Sequence, residues 1–398
     1  MKMKLKSLSF LLLIITVTSA CRKDRPDLQE ETPVLISATP AGSYTRTQLQ
    51  TFATVAGFGN FSAAIQYDVD FFRIAYRTTY KGSEVQASGL LAIPKGTPKA
   101  PSLLSAQHGT MFLDADAPSN FPLTFSGFEL FATAGFITAI PDYLGYGVSK
   151  DIVHPYYDAE HSASTVIDML KAVKDYLEKE NIQYSSRLFL AGYSEGGYVT
   201  MAAQQEIETN SSHNLTLSGV AAGAGGYDVT GMLSSIASRA NYSEPSFLAL
   251  LLQSYNTTYN WNHPLTQFFQ EPYASRIPDL LNGARSREQI NSQLSTATAQ
   301  LFNPTFYAAL SNSAGETVLK QAIAANSFPN WVPKTPTRLY HGTADEAVFF
   351  QTSQSTFNRF SAAGATNVQL ISIPGGTHQS SIQPMMLDAL IWIRSLDQ

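Results

Sequence analysis

The sequence predicts an α/β protein, a mostly parallel β-sheet with helices on both faces, interrupted late in the chain by a helical insertion. Three observations carry this prediction. Short apolar runs of strand length alternate with stripes of apolar residues at helical spacing. The runs are apolar throughout, as strands buried on both faces are, and do not alternate like a one-sided sheet. Finally, the interval 228–333 contains no convincing strand over about a hundred residues, too long for a connection without structure of its own.

The elements follow in order. Two extended runs, 69–78 and 85–93, flank the turn signal Lys81-Gly82-Ser83 and predict an antiparallel hairpin. Six buried strands are expected at 102–106, 136–140, 187–191, 217–222, 338–340 and 369–373. Between the second and third of these, 159–178 is a helix, with Ala163, Val166, Ile167, Leu170, Val173 and Leu177 forming its apolar stripe. Within the insertion, Ser243-Glu244-Pro245 starts a helix. Ser286 and Gln289 form a capping box ahead of Ile290, Leu294, Ala297 and Leu301. Its aromatic residues, Phe268, Phe269, Phe302 and Phe306 among them, are expected mostly to fill the insertion's own core.

With 398 residues, 44% of them apolar, the chain can bury a large core. The formal net charge of -5, with no basic run beyond residue 26, excludes a nucleic-acid partner. The N-terminus has a plan of its own: Lys2, Lys4 and Lys6, an apolar run 8–17, then Thr18, Ser19 and Ala20. This reads as a secretory signal over 1–20, too short to span a bilayer. Cys21 follows, and the segment resembles the lipobox of bacterial lipoproteins, although Thr18 stands where leucine is usual. That resemblance implies lipidation at Cys21 and an exported protein anchored to a cell-envelope membrane, periplasmic or at the surface. As the only cysteine, Cys21 leaves no internal disulfide possible. The segment 21–45, with Pro26, Pro33 and Pro40, reads as a flexible tether.

The chemistry centres on Gly192-Tyr193-Ser194-Glu195-Gly196. A serine hydroxyl attacks a carbonyl carbon only if it is exposed on a tight turn beside a base. Here a predicted strand precedes the turn and a predicted helix follows it. Of the seven histidines, His378 is the expected base, because Gly375-Gly376-Thr377-His378 lies between the last strand and the last helix. The expected acid is Asp345, favoured over Glu346 by its offset from the strand end, while His341 at that strand end is expected to be structural. The oxyanion needs two N–H donors: that of Glu195, and one in Gln107-His108-Gly109-Thr110, assigned to Thr110 with Gly109 as the alternative. His108 is then a loop-shaping residue. His154 and His161, near Asp158 and Glu160, read as a solvated helix start and not as a metal site; no metal or other cofactor is expected.

Together, Gln107-His108-Gly109-Thr110, the segment Pro141-Asp142-Tyr143-Leu144-Gly145-Tyr146-Gly147, residues 192–197 and residues 341–345 resemble the secretory-lipase-like branch of the α/β-hydrolases. The likeness runs from Val69 to the C-terminus. It implies the α/β-hydrolase fold, with a catalytic domain over 46–227 and 334–398 and a helical lid over 228–333. It also implies a Ser194-His378-Asp345 triad acting on a small-molecule or lipid ester. The loop 142–147 either lines the cleft or braces a turn, and the insertion is expected to hold substrate choice. A serine peptidase on the same fold, or a binding lipoprotein that keeps the fold without turnover, are the alternatives.

Overall fold

The computed structural model describes residues 33–398. The signal, Cys21 and the tether up to residue 32 lie outside the described residues.

The sheet is built from β1 (Leu35–Tyr44), β2 (Val69–Tyr80), β3 (Ser83–Pro94), β4 (Leu103–Gln107), β5 (Ile137–Pro141), β6 (Leu188–Tyr193), β7 (Gly219–Gly223), β8 (Thr337–Gly342) and β9 (Val368–Ile373). These nine strands lie in the order β1-β2-β3-β5-β4-β6-β7-β8-β9. The pairings from β1 to β5 across β2 and β3 are antiparallel, and every pairing from β5 through β4 to β9 is parallel. The predicted hairpin is β2–β3, turning at Lys81-Gly82, and each predicted strand is present with its ends moved by a few residues.

β1 departs from expectation. The tether reading extended through 45, but from Leu35 the chain is an edge strand paired along β2, with register shifts at Leu35/Ser37 and Pro40/Gly42. An edge position beside a register shift explains why Pro40 is tolerated, since proline cannot donate to a ladder and is confined to edges and bulges. A capped helix, α1 (Arg46–Val55), follows, with Thr45 and Gln48 forming a reciprocal capping box.

Period-two alternation divides the strands between two cores. Leu188 and Leu190 of β6 join the core beneath α3 (Ala159–Lys179) and α4 (Glu195–Thr209), after α2 (Leu130–Thr133) in the chain. Phe189 and Ala191 join the opposite core, which α1 and α2 share with the chain's last helix, Ile382–Leu396. Both faces are covered, which accounts for the continuously apolar strands.

Between β7 and β8 run seven helices: α5 (Val229–Ala237), α6 (Pro245–Thr258), α7 (Tyr273–Leu280), α8 (Arg287–Asn291), α9 (Thr298–Leu301), α10 (Pro304–Leu310) and α11 (Thr317–Ala325). The insertion is helical as expected. Pro245 opens α6, and the Ser286–Gln289 capping box forms, although α8 stops after five residues where a longer helix was expected. Phe268, Phe269, Phe302 and Phe306 are buried against one another. After β8 come α12 (Phe350–Ala362), β9 and α13 (Ile382–Leu396).

Candidate active site

Ser194 sits between β6 and α4, where the chain turns sharply from strand to helix. Its φ of 60° and ψ of -126° are a conformation that side-chain-bearing residues rarely adopt, so the surroundings must hold it. The Ser194 N–H donates to the Gly223 carbonyl oxygen on β7 (2.8 Å). Gly196 lets α4 pass close behind: a Cβ there would collide with the carbonyl oxygens of Gln107 and His108. The first turn of α4 thus points its free N–H groups and the positive end of its dipole toward the serine.

The loop after β9 brings His378 over the carboxyl edge of the sheet. Ser194 donates through Oγ to His378 Nε2 (2.8 Å), and His378 Nδ1 donates to Asp345 Oδ2 (2.7 Å). Of the two adjacent carboxylates it is therefore Asp345 that meets the imidazole; Glu346 is exposed and accepts only from the His378 N–H (3.4 Å). Asp345 Oδ1 is anchored by the N–H groups of Ala347 (3.0 Å) and Val348 (2.8 Å). Burial alone would raise the Asp345 carboxyl, but bonding and charge from His341 and His378 prevail and hold it at about 2. His341 has the structural place expected of it. Its ring bonds Ser353 Oγ (2.7 Å) and the Val348 carbonyl oxygen (2.8 Å) and rests 3.3 Å from Asp345 Oδ2.

The two amides expected to face an oxyanion flank the serine. Glu195 is the first residue of α4; Gly109, adjacent to Thr110, lies against the Ser194 side chain. Neither the Glu195 nor the Thr110 N–H is engaged by a backbone acceptor among the described residues. Thr110 Oγ1 is 3.0 Å from the Tyr156 hydroxyl. His108 shapes its loop: Nδ1 donates to the Gly109 carbonyl oxygen (2.8 Å), the ring stacks on Tyr143 at 4.2 Å, and burial lowers its pKa.

The loop 142–147 braces more than it lines. Asp142, buried, accepts from Ser88 Oγ (2.6 Å) and the Ser119 N–H (2.8 Å), and burial raises its carboxyl. Tyr143, held at a φ of 69°, donates its hydroxyl to the His108 carbonyl oxygen (2.9 Å).

The expectation of a solvated helix start at His154 and His161 is corrected, because both rings are buried and paired. His161 Nδ1 donates to Asp158 Oδ1 (2.7 Å) while Nε2 accepts from the Lys81 N–H (3.2 Å). His154 Nε2 is 2.6 Å from Glu195 Oε1. Sequence reasoning missed His154 and Tyr156 as site residues. Their side chains reach the serine's neighbours from a loop some forty residues upstream, and only the unusual chemistry of a carboxylate directly after the nucleophile position hinted at a partner.

A cleft of about 550 Å³ opens beside Ser194 and His378. The insertion, expected to hold substrate choice, supplies only Phe247 and Arg287 to its lining. Most of the wall comes from residues 108–128, with Phe58 and Ile382. Phe58 and Phe125 meet edge-on at 6.2 Å, and Gly127 admits the Phe58 ring where a Cβ would collide with it. Leu123, 91% exposed, stands at the rim.

Comparison with known proteins agrees with this architecture. The secretory lipase family profile matches residues 129–396. No curated protein sequence matches the chain. Among solved structures, a candidate hydrolase from Legionella pneumophila superposes with a TM-score of 0.83 at 24% identity, covering 92% of this chain and 98% of its own. The rice cell wall degrading esterase LipA from Xanthomonas oryzae superposes with a TM-score of 0.77 at 26% identity, covering 91% and 97%. Candida antarctica lipase A does so with a TM-score of 0.64 at 17% identity, covering 87% and 77%. The fold is thus that of the α/β-hydrolases.

Proposed function

This chain belongs to the secretory lipase family, and on that premise we propose that it cleaves carboxylic esters through an acyl-enzyme on Ser194. The observation that carries the reading is the hydrogen-bonded series from Ser194 through His378 to Asp345, on a strained turn at the floor of an open cleft. Family membership and the likeness to an esterase support ester hydrolysis.

In this reading Ser194 Oγ attacks the ester carbonyl carbon as His378 Nε2 takes its proton, and the imidazolium formed is stabilised by Asp345. The N–H groups of Glu195 and Thr110 receive the negative charge on the carbonyl oxygen. His378 then returns the proton to the leaving alcohol, and water repeats the sequence to free the acid. The series needs no metal or other cofactor. Helices α5 to α11 act as the lid, and Cys21, lipidated, anchors the exported enzyme to an envelope membrane. The tether in this reading is shorter than expected, because β1 already belongs to the catalytic domain.

Turnover of p-nitrophenyl acetate and butyrate by wild type and Ser194→Ala tests the reading, with fluorogenic peptides assayed in parallel. Loss of ester turnover by more than about 10³-fold in the variant is expected. Equal turnover by both proteins, or peptides cleaved in preference to esters, would contradict it.

A further inference from the structure

The carboxylate of Glu195 is an expensive group to bury. It has almost no exposure, Oε1 meets His154 Nε2 at 2.6 Å, and Oε2 has no hydrogen-bond partner. His154 Nδ1 faces the Leu144 carbonyl oxygen at 2.7 Å and must carry a hydrogen to bond it. One further proton therefore lies between Nε2 and Oε1, and the pair is neutral as a unit whichever atom holds it. An apolar pair of similar volume would serve the fold at least as well, since burying ionisable groups is repaid only in part by their attraction. Such a pair calls for a role in the site.

Its position supplies one. The Glu195 side chain is fixed by His154 while its own N–H is the first proposed oxyanion donor. The His154 ring lies nearly parallel to Tyr143 (14°, centroids 6.1 Å apart), and Tyr143 stacks on His108 and bonds the His108 carbonyl oxygen. That carbonyl belongs to the loop whose Thr110 N–H is the second donor. The same histidine packs against Tyr156, which meets Thr110 Oγ1 and takes its own backbone anchor from Ser254 on α6. A continuous series of side chains, Glu195, His154, Tyr156 and the partly buried Thr110, thus joins the two donors, with Tyr143 bracing the same loop at the His108 carbonyl.

Resting on the reading of Ser194 as nucleophile, we propose that the Glu195–His154 pair is a positioning device. It locks the Glu195 and Thr110 amides at the spacing the oxyanion needs and cancels a carboxylate charge that would otherwise oppose it. Neither side chain touches substrate. Electrostatic preorganisation of this kind acts on the transition state, so its loss falls on kcat and leaves KM nearly unchanged.

The test uses full-length His154→Leu, Glu195→Gln and the double variant, with kcat and KM for p-nitrophenyl butyrate, the rate of fluorophosphonate capture at Ser194, and Tm. In His154→Leu, kcat and the capture rate are expected to fall together by about 10- to 100-fold, with KM moving less than about threefold. Adding Glu195→Gln removes the stranded carboxylate, so the double variant recovers at least about fivefold in kcat over His154→Leu. A merely structural pair predicts the opposite order, with the double variant no better than the single. That result, or a capture rate that does not change, overturns the proposal. If His154→Leu does not fold, Glu195→Ala against Glu195→Gln decides. The proposal expects kcat lower in Glu195→Ala by about fivefold or more at equal KM, and equal kcat in the two overturns it. A wild-type protein that the phosphonate does not label would remove the nucleophile reading and this proposal with it, whereas a labelled wild type with flat variants removes this proposal alone.

Discussion

Tyr193, the residue before the serine, donates its hydroxyl to the carbonyl oxygen of His378 (2.7 Å), tying the end of β6 to the loop that carries the imidazole. Burial raises the Tyr193 phenol well above its ordinary value, so it remains a donor throughout the accessible pH range. In Tyr193→Phe the carbonyl loses its buried partner and the His378 loop loses its tie. The expected result is about tenfold lower kcat for ester turnover, a small change in KM, and a stability loss of about 1 kcal/mol by urea denaturation.

The depressed Asp345 carboxyl links charge to stability. A group whose pKa is about 2 in the folded chain against an ordinary 3.8 stabilises the fold above about pH 4, and that contribution is lost as pH falls through 2. Asp345→Asn lacks this contribution. Its stability deficit relative to wild type should therefore shrink by about 1 kcal/mol between about pH 6 and about pH 3, read from urea midpoints. At neutral pH the same variant is expected to lose about 10³- to 10⁴-fold in kcat, because the imidazole is no longer held in the working tautomer.

Because the cleft wall is drawn from Phe58 and residues 108–128, substrate preference should respond there more than in the insertion's buried aromatics. Phe58→Ala is expected to raise KM for p-nitrophenyl hexanoate about five- to tenfold more than for the acetate, since a buried methylene contributes about 0.8 kcal/mol and the acetate has none to lose. Phe302→Ala, within the insertion's core, should lower Tm without changing that ratio.

Removal of residues 33–44 tests the N-terminal boundary. If these residues were tether, stability would not change. As β1 they pair with β2 from Val69 to Tyr76, and deletion leaves that stretch of β2 as an unpaired edge. A loss of at least about 2 kcal/mol, with increased aggregation, is expected from thermal and urea unfolding.

Much of this was legible in the sequence because it depends on local signals. The apolar runs gave every parallel strand, and the spacing of Ala163, Val166, Ile167 and Leu170 gave α3. Chain order brought out Ser194, Asp345 and His378, which the structure places within hydrogen-bonding reach of one another. What was missed depends on tertiary contact. Pro40 and Gly42 argue against a strand until β2 is there to pair with. His154 looks like a surface histidine until Glu195, forty-one residues away, is seen beneath it. The insertion's aromatics fill its own core as expected, but substrate choice was also expected there, and composition does not show that the cleft wall would come mostly from residues 108–128 instead.

Every proposed catalytic step passes through Ser194 as the nucleophile. The most direct measurement of that role is intact-mass and peptide mapping of the protein after exposure to a fluorophosphonate, with residual esterase activity followed alongside. One adduct is expected, on Ser194, with activity lost in proportion to labelling. Esterase activity that persists with Ser194 fully modified, or an adduct on another residue that tracks the loss, would contradict it.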